Sequence, residues 1–185
     1  MRHSKYSILF LFTGIFLLFI SFTPHRSNPK KGKISLADSM IYTILVDKSD
    51  YELKVFDDEG WYATYPVVFG SKDFGDKMRE GDKKTPNGKY KIILKKHHVK
   101  WGPELLLDYP TKENVVLFNE RKAKGLIPKN ARIGNGIAIH GTRPEEEWTI
   151  DQEYSWTDGC ISLKYTEMID LFSYIPSGTK VTIQP

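Results

Sequence analysis

"IYTILVDKSDYELKVFDDEGWYATYPVVF", residues 41–69, decides the fold class. It holds three runs rich in aromatic and β-branched residues, "IYTILV" (41–46), "YELKVF" (51–56) and "WYATYPVVF" (61–69), separated by the polar tetrads "DKSD" and "DDEG". Runs of that composition broken by turn residues predict a meander of antiparallel strands. Tyr51, Leu53 and Val55 alternate with Glu52, Lys54 and Phe56, as a strand with one buried face requires. A fourth strand, "KYKIIL" (89–94), follows the turn "TPNG" (85–88), where Pro86 fixes φ at the second turn position and Gly88 ends it.

Downstream, "GIAIH" (136–140) predicts a strand ending on His140, and "GTKVTIQ" (178–184) predicts a closing strand. A helix is expected over 166–174, with Thr166 as its N-cap and Met168, Leu171, Phe172 and Ile175 on one stripe. The class is therefore mainly β with small helical additions. Between these elements, residues 95–134 mix apolar residues with Pro and Gly and keep no long period, which suggests a lid-like segment or one hiding a short helix near 112–124.

At the other end, Arg2 and Lys5 precede an apolar run from Ile8 to Phe22, followed by Pro24 and a basic stretch through Lys33. As a helix the run would span about 22 Å, short of the roughly 30 Å hydrocarbon core, so residues 1–35 are expected to be a signal peptide, or an N-terminal membrane anchor, plus linker. No small-x-small cleavage site follows the run, and the four basic residues after it outnumber the two before it, so cleaved leader and retained anchor both stay open. Export to the cell envelope is expected, with contact to a membrane only through that segment if it is uncleaved. Residues 40–185 form one domain with its own core.

The formal net charge is +4, but residues 1–33 hold six of the 27 Lys and Arg and none of the 23 Asp and Glu. The rest carries 21 basic against 23 acidic residues, so it lacks the basic stripe that a nucleic-acid partner requires.

Cys160 is the single cysteine of the 185 residues. In an exported protein an unpaired thiol is buried and inert, joined to another chain, or reactive. It follows Gly159 in "SWTDGCISL" (155–163), at a loop-to-strand transition where backbone N–H groups can converge beside the sulfur. A thiol with an ordinary pKa near 8.5 needs a base or a cation to react at neutral pH. Of the five histidines, His3 and His25 fall in the leader, and His97 and His98 read as solvated loop residues. His140, at a strand end before Gly141 and Thr142, is the candidate partner of Cys160. A single Cys with one such His lacks the paired spacing of a zinc site, so no metal is expected, and no G-x-S-x-G is present to supply a serine nucleophile.

Together, "IAIHGT" (137–142) and "SWTDGCISL" (155–163) resemble the signature of the L,D-transpeptidase (YkuD-type) catalytic domain family, in which a strand-end His-Gly precedes [Ser/Thr]-x-Gly-Cys. "GDKMREGDKKTPNGKYKI" (75–92) and "GTKVTI" (178–183) are similar to two further segments of that family, and the likeness runs from about Met40 to the C-terminus. The resemblance implies a β-sandwich-like domain and cysteine acyl transfer on peptidoglycan stem peptides, with no cofactor. It makes Cys160 the nucleophile, His140 the base and the Gly141 carbonyl the group that orients the imidazole. Thr157 matches the Ser/Thr before the nucleophile, and Gly159 with Cys160 would supply oxyanion N–H groups. Asp158 and Ser162 depart from the commonest pattern, which bears on substrate and acceptor preference. Asp158, Ser162 and Arg143 are therefore possible substrate-binding residues, with Trp101 and Tyr109 as candidate cleft walls. An amine acceptor makes the protein a transpeptidase forming 3-3 cross-links, and water makes it an L,D-carboxypeptidase or peptidoglycan amidase. A non-catalytic wall-binding module with an inert Cys160 is the third possibility.

Overall fold

The computed structural model describes residues 42–185, so the expectations for 1–35 and for residue 41 lie outside the described residues. The meander forms as its composition predicts. Strands β1 (Thr43–Asp47), β2 (Glu52–Asp57) and β3 (Gly60–Pro66) pair antiparallel, with Ile44 opposite Val55 and Val46 opposite Leu53. The alternation in β2 buries Leu53 and Val55 and leaves Glu52 and Lys54 partly exposed.

Strand β4 (Gly88–His98) runs beyond the predicted run and carries a register shift between Ile92 and Leu94. Its first half pairs with β8 (Lys180–Gln184) and its second half with β5 (Gly102–Leu107). An irregularity of this kind bends a strand, and here the bend turns one sheet back toward itself. The sheet continues through β6 (Ala138–Gly141) to β7 (Ile161–Leu163), in the order β3-β2-β1-β8-β4-β5-β6-β7. The two outer edges are then tied: Val68, just past β3, and Ser162 of β7 exchange both backbone N–H···O bonds at 2.9 Å. The sheet is thus nearly closed around one core, which gives the mainly β, sandwich-like architecture.

Residues 95–134 are more regular than their composition suggests. Lys95 to Leu107 belong to the β4–β5 hairpin, and α1 (Lys112–Ala123) occupies the expected helical stretch with Thr111 as its N-cap in a capping box with Asn114. His97 and His98 accordingly sit on β4 and not in a loop. A four-residue helix, α2 (Trp148–Asp151), precedes the Cys160 loop, and α3 (Tyr165–Tyr174) follows β7. The N-cap of α3 is Lys164; Thr166 lies inside the first turn and donates through its N–H and hydroxyl to Glu147. Met168, Leu171 and Ile175 of the predicted stripe are fully buried, and Phe172 packs at the edge of the core. Burial of each such side chain contributes about 1.5–3 kcal/mol.

Lys48, fully buried after β1, donates its ammonium to the carbonyls of Phe74 at 2.6 Å and Thr85 at 3.3 Å, fixing the long loop between β3 and β4 to the sheet. Burial pushes that ammonium down to about 8. The same loop meets the Cys160 loop at Gly70, where a Cβ would overlap the backbone carbonyls of Thr157 and Lys83. Gly70→Ala is expected to destabilise the protein by about 2 kcal/mol, read as a lower urea midpoint at unchanged slope, because backbone must move. A variant with the parent's midpoint would contradict this close approach.

Candidate functional site

Strand β6 lies between β5 and β7, with His140 opposite Glu104 on one side and Ser162 on the other. The β6–β7 pairing is parallel, Ile139 opposite Ile161 and Gly141 opposite Leu163. Cys160 immediately precedes β7, and continuing the register back by one residue sets it opposite Ala138. Side chains alternate along a strand, so Ala138 and His140 share a face and Cys160 takes that same face. Two residues along the strand and one strand across is roughly 8 Å between Cα atoms, a gap two side chains leaning together can bridge. The chain thus brings residues 140 and 160 to one end of neighbouring strands.

His140 is 5% exposed, and its Nδ1 lies 2.9 Å from the Gly141 carbonyl oxygen. A carbonyl only accepts, so Nδ1 carries the proton and Nε2 is left as the basic nitrogen. Trp101 stacks on the ring, with centroids 5.7 Å apart at 28°, and Trp156 meets it edge-on at 5.4 Å and 77°. Burial pushes the imidazole below its usual value, against the Gly141 bond and the Glu104 carboxylate, which favour protonation. Gly141 also leaves little room, because a Cβ there would stand 3.2 Å from Tyr165 Cα and 3.3 Å from Met168 Cβ of α3.

The Cys160 turn is locked by Thr157. This buried threonine donates its hydroxyl to the Cys160 carbonyl at 2.8 Å and accepts from the Gly159 N–H at 3.2 Å. Gly159 adopts φ +125°, and a Cβ would stand 2.7 Å from the Lys84 carbonyl oxygen, so a glycine is required. The sulfur is partly accessible and lies 3.6 Å from the Gly136 carbonyl oxygen. Burial pushes the thiol up to about 11, opposed by a backbone hydrogen bond from Ala138 and the Lys77 ammonium, and reinforced by Glu104 and Asp158. A raised thiol and a lowered imidazole both favour the neutral forms, so the resting proton stays on sulfur.

Several predicted site residues take other places. Tyr109 is not a cleft wall: it is buried in the core, donates to the Ile133 carbonyl at 3.1 Å and meets Tyr90 edge to face. Ser162 is not positioned for substrate, since it is fully buried in β7 with its backbone tied to Val68. The Gly159 N–H is engaged by Thr157 and is not aimed at an oxyanion. Asp158 is exposed, with no ion-pair partner among the described residues. Arg143 pairs with Glu146 at 3.1 Å and lies over the Trp101 ring at 5.5 Å. Among the described residues no three or more His, Cys, Asp and Glu side chains cluster as metal ligands.

Sequence reasoning missed Trp156, Glu104 and Lys77. Trp156 stands four residues before the cysteine, and an aromatic so placed was a legible sign of a wall. Glu104 is brought in by strand pairing, and the buried Lys77, paired with Asp82 at 2.8 Å, by the loop that packs under Gly159; neither has a local signal. A concavity of about 1010 Å³, lined by residues such as Ile44, Lys89, Lys112 and Val181, contains none of the predicted site residues. A smaller one of about 320 Å³ has in its wall Trp101 and Trp156, the two rings that cover the imidazole.

A nearly closed β domain with an imidazole on β6 and a thiol at the entrance of the parallel neighbour β7 defines the class of protein. Residues 41–183 match the L,D-transpeptidase catalytic domain, and the chain belongs to that family. It is 26% identical over 181 residues, 94% of this chain and 84% of the relative, to YqjB of Bacillus subtilis (strain 168), provisionally assigned as an L,D-transpeptidase. Its fold is similar to the helical cell shape determining protein Pgp2 (K307A mutant) of Campylobacter jejuni, with TM-score 0.59, 23% identity, and coverage of 79% of this chain and 47% of that one. An L,D-transpeptidase from Stackebrandtia nassauensis matches with TM-score 0.52 and 14% identity over 86% of this chain and 62% of that one. The chain thus spans about half the length of the first of these structures.

A thiol titrating near 11 is roughly 10⁻⁴ ionised at pH 7, against about 3% for an ordinary cysteine. Iodoacetamide labelling of Cys160 in the substrate-free protein is therefore expected to be slow at pH 7 and still rising beyond pH 9. A rate already level below pH 8 would show a thiolate held by an imidazolium instead.

Proposed function

We propose that this protein is a peptidoglycan L,D-transpeptidase in which Cys160 is the nucleophile and His140 the general base. The observation that carries the proposal is the parallel β6–β7 pairing, which sets the two side chains on one face at one end of the sheet, with His140 Nδ1 committed to Gly141. Family membership supports the substrate class, peptidoglycan stem peptides. The neighbouring Campylobacter protein is named for cell shape, in keeping with a role in the wall.

His140 Nε2 takes the thiol proton as the sulfur attacks the carbonyl of the third residue in a tetrapeptide stem. The C–N bond to the terminal D-residue breaks, the proton passes from His140 to the leaving amine, and a thioester remains on Cys160. An amine from a second stem then attacks, His140 accepts its proton and passes it to the departing sulfur, giving a cross-link between two third-position residues and the neutral thiol again. Starting from neutral partners, proton transfer accompanies bond formation, so no buried ion pair has to exist beforehand. Exposed Asp158 beside the nucleophile offers the negative charge that draws an ammonium acceptor toward the thioester. Export to the cell envelope through residues 1–35 belongs to the same proposal.

Purified protein incubated with disaccharide-tetrapeptide is expected to yield a dimer lacking one D-Ala, detected by mass spectrometry. Cys160→Ala abolishes the product, and His140→Gln lowers its rate by about 10²–10⁴ while leaving the thermal unfolding midpoint nearly unchanged. Equal dimer from Cys160→Ala would end the proposal, and tripeptide without dimer would make water the acceptor.

A further inference from the structure

Three of the four tryptophans in the chain, Trp101, Trp148 and Trp156, line the cavity of about 320 Å³, together with Tyr154 and the Arg143–Glu146 pair. Trp101 and Trp156 touch each other with centroids 5.0 Å apart and also cover the imidazole, so the cavity and the reacting histidine share a wall. Trp148 and Tyr154 also line it, tilted at 41° with centroids 5.8 Å apart and still 54% and 55% exposed. Leaving two large aromatic faces in water beside a reactive group favours a ligand that covers them.

We propose that this cavity is a sugar subsite, holding one pyranose ring of the glycan to which the reacting stem is attached; the proposal rests on the peptidoglycan reading above. A pyranose presents a flat face of C–H bonds that lies on an aromatic plane, with hydroxyl and acetamide groups around its rim. Aromatic walls with a charged pair beside them match that division of apolar face and polar rim. At 320 Å³ the cavity lies at the lower end of ligand sites, suited to a single ring and too small for a pair of stem peptides. Arg143 and Glu146 neutralise each other at 3.1 Å, so the cavity offers no net charge to select an ionised stem group. The proposed stems contribute methyl groups and charges, whereas the glycan contributes flat neutral rings.

Calorimetric titration of the full chain carrying Cys160→Ala tests this without any chemistry, comparing disaccharide-tetrapeptide with the same tetrapeptide lacking sugar. The sugar-bearing ligand is expected to bind about tenfold tighter, the gain two aromatic contacts supply. Trp148→Ala or Tyr154→Ala, both at exposed positions, should bring it down to the affinity of the bare peptide. Equal binding of the two ligands, or a sugar gain that survives both substitutions, would overturn the subsite. Failure of the active protein to make cross-linked product would count against the reaction and leave the sugar comparison standing.

Discussion

Strand β7 is three residues long and β6 four, yet their mutual register decides whether His140 and Cys160 share a face. A slip by one residue would turn Cys160 to the opposite face from His140, because side chains alternate along a strand. Three neighbours hold the register. The antiparallel exchange between Val68 and Ser162 grips β7 from the far edge of the sheet. Pairing with β5 grips β6 from the other side, and α3 lies so close to Gly141 that a Cβ there would crowd Tyr165 and Met168. The closure of the sheet is therefore a condition of the proposed chemistry as well as of stability, and the glycines at 70, 141 and 159 mark where backbone approaches backbone or helix closely.

The environment produced by that closure is aromatic and largely dry, which determines how the pair would work. Desolvation opposes both the thiolate and the imidazolium, and the residual charges pull in different directions: Lys77 favours the thiolate, while Glu104 disfavours it and favours the imidazolium. Both groups therefore rest neutral, with the imidazole held in one tautomer by Gly141 and in one plane by the two tryptophans.

Much of this was legible in the chain. The alternation around Leu53 and Val55 and the turn residues at 47–50 and 57–60 reveal the meander, and His140 and Cys160 stand out by type, context and family resemblance. The β4–β5 hairpin was not legible, because "KKHH" on β4 is polar where it faces solvent and lacks the apolar alternation of a half-buried strand. Tyr109 and Ser162 were misplaced for a related reason: whether a residue near a motif faces the cleft or the core depends on strand pairing that local sequence does not encode. Glu104 and Lys77 reach the site only through long-range contacts, so residue type alone could not select them from the other charged side chains.

The most direct measurement is the ¹⁵N spectrum of the histidine-labelled full chain across pH, before and after Cys160→Ala. Neutral His140 with its proton on Nδ1 at pH 7, protonating only below the ordinary value of about 6.5 and with an Nε2 signal that shifts when the thiol is removed, is the predicted result. A proton on Nε2, an imidazolium at pH 7, or an Nε2 signal indifferent to the loss of Cys160 would contradict the pairing on which the account is built.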